Sequence, residues 1–548
     1  MTSKIETNGH GQNGVGVPET TLNRADEVED LINAVKSLIV PFIRDADQAA
    51  ALRATGQPAS SASSSSGETP SRNVLVDYHR PEELVKRLKF SLPEGDGRGK
   101  DGLLDTIQDV LRYSVNTWDQ GFLDKLYSSN NAVGVVSELL ISVLNTNVHV
   151  YNTSPALTII EKTTARKLAS LFGLTGPRAG GITCAGGSAS NLTSLIIARN
   201  ALYPSTKRDG NGGRRFAVFT SAHGHYSVEK AAVAAGLGSS SVVGVAVDGA
   251  GRMDVGALRA AVARARAEGR TPLYVNATAG TTVLGSFDPL EEIARVCAAE
   301  RLWMHVDASW GGAAAFSRDP ALRARTLGAG AGAARADSIT VNPHKMLNVP
   351  VTCSFLLARD VAVFRAANAL RAGYLFHSDD DDEKDGGEKQ EEQKEEEEEK
   401  EVWDLADLTL QCGRRADALK LALAWVYYGA AGLAAQVDGA FATAARLAAR
   451  IAAEPEHFAL VSETPPPCLQ VCFYYAPRGR VAPDPAENTR RTREMARRLV
   501  GRGFMVDYAP GDRGSFFRAV VNCQTLPATV DGLVTALKEV GREVVPLL

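Results

Sequence analysis

Apolar residues recur along this chain in two rhythms, and the change of rhythm divides it. Over 25–47, Val28, Leu31, Ile32, Val35, Leu38 and Ile39 fall at helical spacing, which predicts a docking helix unable to bury its sticky face alone. Helical patterns continue from 81 to about 130, and 133–143 reads as another amphipathic helix. Between about 154 and 410, helical stretches alternate with short apolar runs at 216–220, 241–247, 273–276, 302–306, 338–341 and 353–357. That alternation predicts an α/β fold, a largely parallel sheet with helices on both faces. Such sheets bind ligands at the carboxyl ends of their strands. Beyond 411, helices at 419–428 and 439–453 precede strand-like runs at 470–475 and 517–521, the pattern of a smaller α+β domain.

The expected division is a disordered leader (1–24), an N-terminal helical segment (25–130), a large domain (131–410) and a small domain (411–548). Two stretches stand outside it. A serine tract at 59–67 predicts a flexible loop. Segment 379–400 holds 14 Asp/Glu and four Lys, ten net negative charges, and predicts a disordered insert.

Composition narrows the function. The 548 residues, 44% hydrophobic with a net charge of -4, fit a globular protein and not a nucleic-acid binder. The first residues carry no apolar signal core, and no 18-residue apolar run occurs, so neither secretion nor a membrane span is expected. Seven cysteines lie scattered without CxxC spacing. They predict reduced thiols in a cytoplasmic protein and no metal site.

Candidate chemistry gathers at the predicted strand ends. The run 338–341 leads through Asn342, Pro343 and His344 to Lys345, and 302–306 leads to Asp307. An amine and a carboxylate so placed suggest pyridoxal phosphate (PLP), whose aldehyde needs an amine and whose ring nitrogen needs an acidic partner. Gly186, Gly187, Ser188, Ala189 and Ser190 open a helix, a geometry suited to phosphate. His223 and His225 follow one strand, and Thr278, Thr281 and Thr282 another.

Taken together, Asn342-Pro343-His344-Lys345, His305-Val306-Asp307-Ala308-Ser309-Trp310, Asn276 to Thr282 and His225-Tyr226-Ser227 resemble the group II PLP-dependent amino-acid decarboxylases. Within that family the chain looks most like the animal-type glutamate and cysteine sulfinate decarboxylases. The resemblance runs from about residue 25 to the C-terminus and is densest between 145 and 415. It implies PLP fold type I, with a mostly parallel seven-stranded-type sheet, and a homodimer in which 25–130 helps dimerisation. It also implies roles: Lys345 for the Schiff base, Asp307 for the pyridine nitrogen and His225 for stacking on the ring. Ser188, Ala189, Ser190 and Asn342 match phosphate contacts, Thr282, Ser309 and His344 further cofactor contacts. Tyr374 matches the proton donor of a mobile loop, and Arg518 the arginine that holds an acidic side chain.

The chain departs from the family where Leu123-Asp124-Lys125-Leu126-Tyr127 replaces a Phe-Asn-Gln-Leu-Ser type segment, and Trp118-Asp119-Gln120-Gly121 replaces a His-Pro-Arg. Lys125 offers a second cation for an acidic substrate, and Tyr127 reshapes the pocket. The expected function is therefore α-decarboxylation of glutamate, cysteine sulfinate or aspartate to the amine and CO2. A non-acidic amino acid as substrate, and a non-catalytic binding protein of the same fold, stand as alternatives.

Overall fold

Twelve strands build two sheets in the computed structural model, which describes residues 22–57, 74–328, 332–370 and 401–545. In chain order they are β1 (Phe122–Leu123), β2 (Gly180–Cys184), β3 (Phe216–Ser221), β4 (Val242–Val245), β5 (Thr271–Thr278), β6 (Trp303–Ala308), β7 (Ser338–Val341), β8 (Ser354–Ala358), β9 (Phe458–Leu460), β10 (Gln470–Tyr475), β11 (Met505–Ala509) and β12 (Phe516–Val520). The serine tract, the acidic insert, residues 1–21 and Tyr374 lie outside the described residues.

The large sheet has seven strands in the order β2-β8-β7-β6-β5-β3-β4. Neighbours from β4 through β7 pair in parallel, and β8 runs antiparallel to both β7 and β2. Every residue of β2, β3, β6, β7 and β8 is buried, because helices cover both faces. Leu356 belongs to one apolar core and its neighbour Leu357 to the other. Such two-sided burial produces continuous apolar runs instead of alternation, which made these strands, β2 excepted, readable.

The small domain carries the sheet β1-β11-β12-β10-β9. Its edge strand β1 comes from far upstream, with Leu123 paired in parallel to Val506. Contacts divide the chain into one unit of residues up to Asp45 with Val76–Val115, and a second of Ala46–Leu75 with Asn116–Leu548. The segment expected at 25–130 is therefore not one body. Its second portion is tied into the larger unit by Arg53, whose Nε and Nη2 donate to the Asp119 carboxylate at 2.8 and 2.7 Å, both side chains buried. In the first unit, Lys100 pairs with Asp30 at 2.7 Å.

The helices expected at 419–428 and 439–453 form one element, Ala418–Ala452, bent at Gly429 (φ 67°). By length and composition it alone, among the described residues, could cross a membrane. Leu433, Val437, Leu447 and Ile451 on it are buried in the main apolar core, as expected of a core helix.

Candidate active site

Strands β5, β6 and β7 end side by side, and their last residues meet the start of the helix Gly187–Leu202 around a cavity of about 270 Å³. Ser188, Asn191, His225, Thr282, Asp307, Ser309, Asn342, His344 and Lys345 line it, with Tyr226, Thr278 and Trp310. A larger groove, about 830 Å³, opens near Gly180 at the start of β2 and away from these strand ends. Its Lys207 is spent on the carbonyls of Ala366 and Ala369, and its Arg178 on Asp360.

Lys345 follows β7 through a tight turn in which its N–H donates to the Asn342 carbonyl at 3.0 Å. Burial removes water from its ammonium and lowers its pKa, and the Arg518 charge acts in the same direction against the opposing pull of Asp307. Asp307 ends β6 and is buried. Burial by itself pushes a carboxyl up, yet Asp307 is held below the ordinary range. The Ser309 N–H donates to Oδ1 at 3.1 Å, Asn191 Nδ2 donates to Oδ2 at 2.9 Å, and the nearby Lys345 amine favours the anion. The cavity thus offers a lysine biased toward the free amine and a carboxylate biased toward the anion.

The three histidines are biased toward neutrality. His225 is lowered chiefly by burial; its Nδ1 accepts from the Ser227 N–H at 3.2 Å, which leaves the proton on Nε2. His344 is pushed down to about 4 by burial, with Nδ1 2.7 Å from the Cys353 carbonyl. His305, beneath the floor, is also pushed down to about 4 by burial.

At the other end of the cavity, Gly187 starts the helix behind Gly186, whose φ is 95°. A Cβ on Gly187 would lie 2.7 Å from Asn342 Nδ2 and 2.8 Å from Ser309 Oγ, so only glycine leaves this cradle open. Ser188 stands on the wall. Ala189 and Ser190 do not, contrary to expectation. The Ala189 N–H is taken by the Gly186 carbonyl at 3.0 Å, and the Ser190 hydroxyl is buried at 2.8 Å from Ser354 Oγ. Since Ser354 donates to Asn342 Oδ1 at 2.7 Å, Ser190 acts from behind by fixing Asn342. Two residues are about half a helical turn and carry a side chain to the opposite face, which the linear motif hides.

Arg518, Lys125 and Tyr127 also stand off the cavity wall. Arg518 is buried, with Nη1 donating to the Thr282 carbonyl at 2.7 Å and Nη2 to Asp507 at 2.6 Å. Tyr127 is exposed, its ring 6.3 Å from that of Phe122. Conversely, Asn191 lines the cavity without having been singled out, and Thr278 does so beside Thr282 as its place at a strand end suggests. Asn191 falls three positions after Ser188, the spacing that puts both on one helix face. The Thr278 hydroxyl is buried without a hydrogen-bond partner, a polar atom that a ligand can satisfy.

Residues 81–476 match the pyridoxal-dependent decarboxylase conserved domain. The chain belongs to the pyridoxal-dependent decarboxylases. Among relatives of this decarboxylase, the L-aspartate decarboxylase of Metarhizium robertsii is 55% identical over 524 residues, covering 96% of this chain and 99% of the relative. A glutamate decarboxylase-like protein of Gibberella zeae is 38% identical over 502 residues, 87% of this chain and 94% of that one. The crystal structure of mouse CSAD in apo form superposes with a TM-score of 0.79 at 33% identity, covering 94% and 99% of the two chains. The enzyme is a PLP-dependent carboxy-lyase of fold type I.

The cavity fits this cofactor by its own chemistry. It presents a lysine lowered toward the free amine, an ionised aspartate, a neutral imidazole and a glycine cradle at a helix start. Those groups suit an aldehyde, a ring nitrogen, a ring face and a phosphate respectively.

Proposed function

We propose that the enzyme removes the α-carboxylate of an acidic L-amino acid as CO2, with L-aspartate the principal substrate and Lys345 the lysine that carries the cofactor. The observation that carries this reading is the presence of Lys345 and Asp307 on the wall of one cavity whose Thr282 wall is backed by the cation Arg518. The 55% identity to an L-aspartate decarboxylase supports aspartate among the acidic candidates.

Bound there, PLP supplies an aldehyde for an amine and a ring that accepts the electron pair released as CO2 departs. Lys345, its pKa lowered by burial, is biased toward the free amine that acts as a nucleophile. Asp307, anionic and pinned by two donors, would hold a proton on the ring nitrogen of the bound cofactor. Neutral His225 offers a flat face without adding charge over the ring. Ser188 and the first turn of its helix would hold the phosphate, with Asn342 held in place by Ser354. Arg518 and Lys125 supply the positive charge that an acidic side chain seeks. Tyr374, outside the described residues, is the proposed donor of the proton that replaces CO2 at the α-carbon.

We also propose a homodimer acting in the cytoplasm. The helix Ala132–Leu144 leaves Val136, Leu139, Leu140 and Val143 exposed, an apolar face that a second copy would cover. All seven cysteines are free thiols, as in a reducing compartment.

Incubating purified holoenzyme with L-aspartate, L-glutamate, L-cysteine sulfinate and L-tryptophan, and identifying the amine by mass spectrometry, tests the substrate. CO2 release with β-alanine formed from aspartate is the expected result. Turnover confined to tryptophan would overturn the reading.

A further inference from the structure

Strand register sets four charges side by side in the small domain. Leu123 of β1 pairs with Val506 of β11, so the chain leaves β1 with Asp124 beside Asp507. On the other side of β11, Arg518 of β12 stands directly opposite Asp507. Two cations converge on this aspartate. Arg518 Nη2 donates to Asp507 Oδ2 over 2.6 Å, and Lys125 Nζ reaches the same oxygen over 3.0 Å. Lys125 also lies 3.2 Å from Asp124 Oδ1.

The arrangement faces the active site through one residue. Arg518 Nη1 donates to the Thr282 carbonyl at 2.7 Å, and Thr282 lines the cavity. Arg518 Nη2 has a second acceptor in the Asp124 carbonyl at 3.3 Å. Both ends of the guanidinium fork are therefore engaged by the chain itself. A guanidinium and an ammonium meeting on one carboxylate oxygen is the receptor that a ligand carboxylate would seek. Asp507 already sits in it.

We propose that Asp507 is a specificity-determining residue, an internal carboxylate that competes with the side-chain carboxylate of the substrate for Arg518 and Lys125. The inference rests on the acidic-substrate reading and adds a residue to it. Asp124 and Asp507 balance Arg518 and Lys125, so the cluster gives an incoming anion no surplus positive charge. An acidic substrate gains its ion pair only by sharing or displacing Asp507. Lys125, its side chain 46% exposed, is the partner free to swing with the ligand, while Arg518, at 7%, is anchored to Thr282 and Asp124. A non-acidic substrate leaves the Asp507 pairs intact and is indifferent to them.

The test compares wild-type holoenzyme with Asp507→Asn and Asp507→Ser, each checked for retention of the cofactor absorbance and of the melting temperature. Two variants are needed because either alone could disturb β11. KM is measured for the acidic amino acid that the wild type decarboxylates, and the inhibition constant for succinate, a dicarboxylate without an amine. Removing a competing charge-assisted bond at a partly exposed site is expected to lower both constants about 3- to 10-fold, with the effect falling on KM. Constants that stay unchanged or rise in both variants would overturn the inference and leave the acidic-substrate reading standing. A wild type that turns over only non-acidic amino acids would remove the reading, and the inference with it.

Discussion

Asn191 joins Asp307 to His305: its Nδ2 donates to Asp307 Oδ2 at 2.9 Å, and its Oδ1 lies 3.1 Å from His305 Nε2. Only one amide orientation serves both, because the flipped amide would set two oxygens face to face. His305 therefore carries its proton on Nε2, and its Nδ1 accepts from Ser338 Oγ at 2.8 Å. Asp307 is thus held in place from below by a chain of neutral donors.

Asn191→Ala removes a donor from a buried, ionised carboxylate. A hydrogen bond to a charged group contributes about 1.5–3 kcal/mol, so kcat/KM should fall roughly ten- to a hundredfold. Steady-state CO2 release checks this, with cofactor absorbance as the control. An unchanged rate would mean that Asp307 stays ionised and oriented without it.

Gly187→Ala places a methyl 2.7 Å from Asn342 Nδ2. Cofactor affinity should drop by about an order of magnitude or more, since that methyl enters the close-packed cradle. Fluorescence titration of cofactor-free protein with PLP measures it. The variant should otherwise fold normally, because alanine is the better helix former.

His305 ties stability to pH. Its folded pKa of about 4 lies below the ordinary 6.5 because of burial. Above pH 6.5 it is neutral in folded and unfolded chains, and nothing is lost. Between 6.5 and 4 the unfolded chain takes up a proton that the folded chain refuses, so stability falls as pH falls. The linkage amounts to about 2 kcal/mol at pH 5. Urea denaturation of cofactor-free wild type and His305→Gln at pH 7 and 5 should show a smaller pH dependence in the variant.

Arg53→Ala strands the buried Asp119 carboxylate and should cost about 3–5 kcal/mol. The double variant Arg53→Met with Asp119→Leu should cost less than the single one, since no uncompensated charge remains. Thermal melts of the two decide it; a costlier double variant would contradict the assignment.

The parts of this enzyme that the sequence revealed are those where chemistry and burial coincide locally. Strands β3 to β8 announced themselves as apolar runs, and Asp307 and Lys345 as polar residues just beyond such runs. β2 went unread because Gly180 and Gly181 dilute its apolar signal, and β8 gave no hint of its reversed direction, since a buried strand has the same pattern either way. Ser190 was misjudged because helical rotation turns its hydroxyl to Ser354. Arg518 was recognised, but its pairing with Asp507 depends on a strand register that no local pattern encodes. Tyr374 and the acidic insert lie outside the described residues.

The edge strand β1 also bears on how the protein is made. Lys125 and Asp507 stand 382 positions apart, and the pairing of Leu123 with Val506 spans a similar stretch of chain. A ribosome must therefore deliver nearly the whole polypeptide before the outer edge of β11 is covered. Contacts so distant in sequence form late, and an uncovered strand edge meanwhile invites pairing with other chains. A fragment beginning at residue 411 would carry β9 to β12 with that edge bare, so the smaller sheet is complete only when residues more than 380 positions apart have both been made.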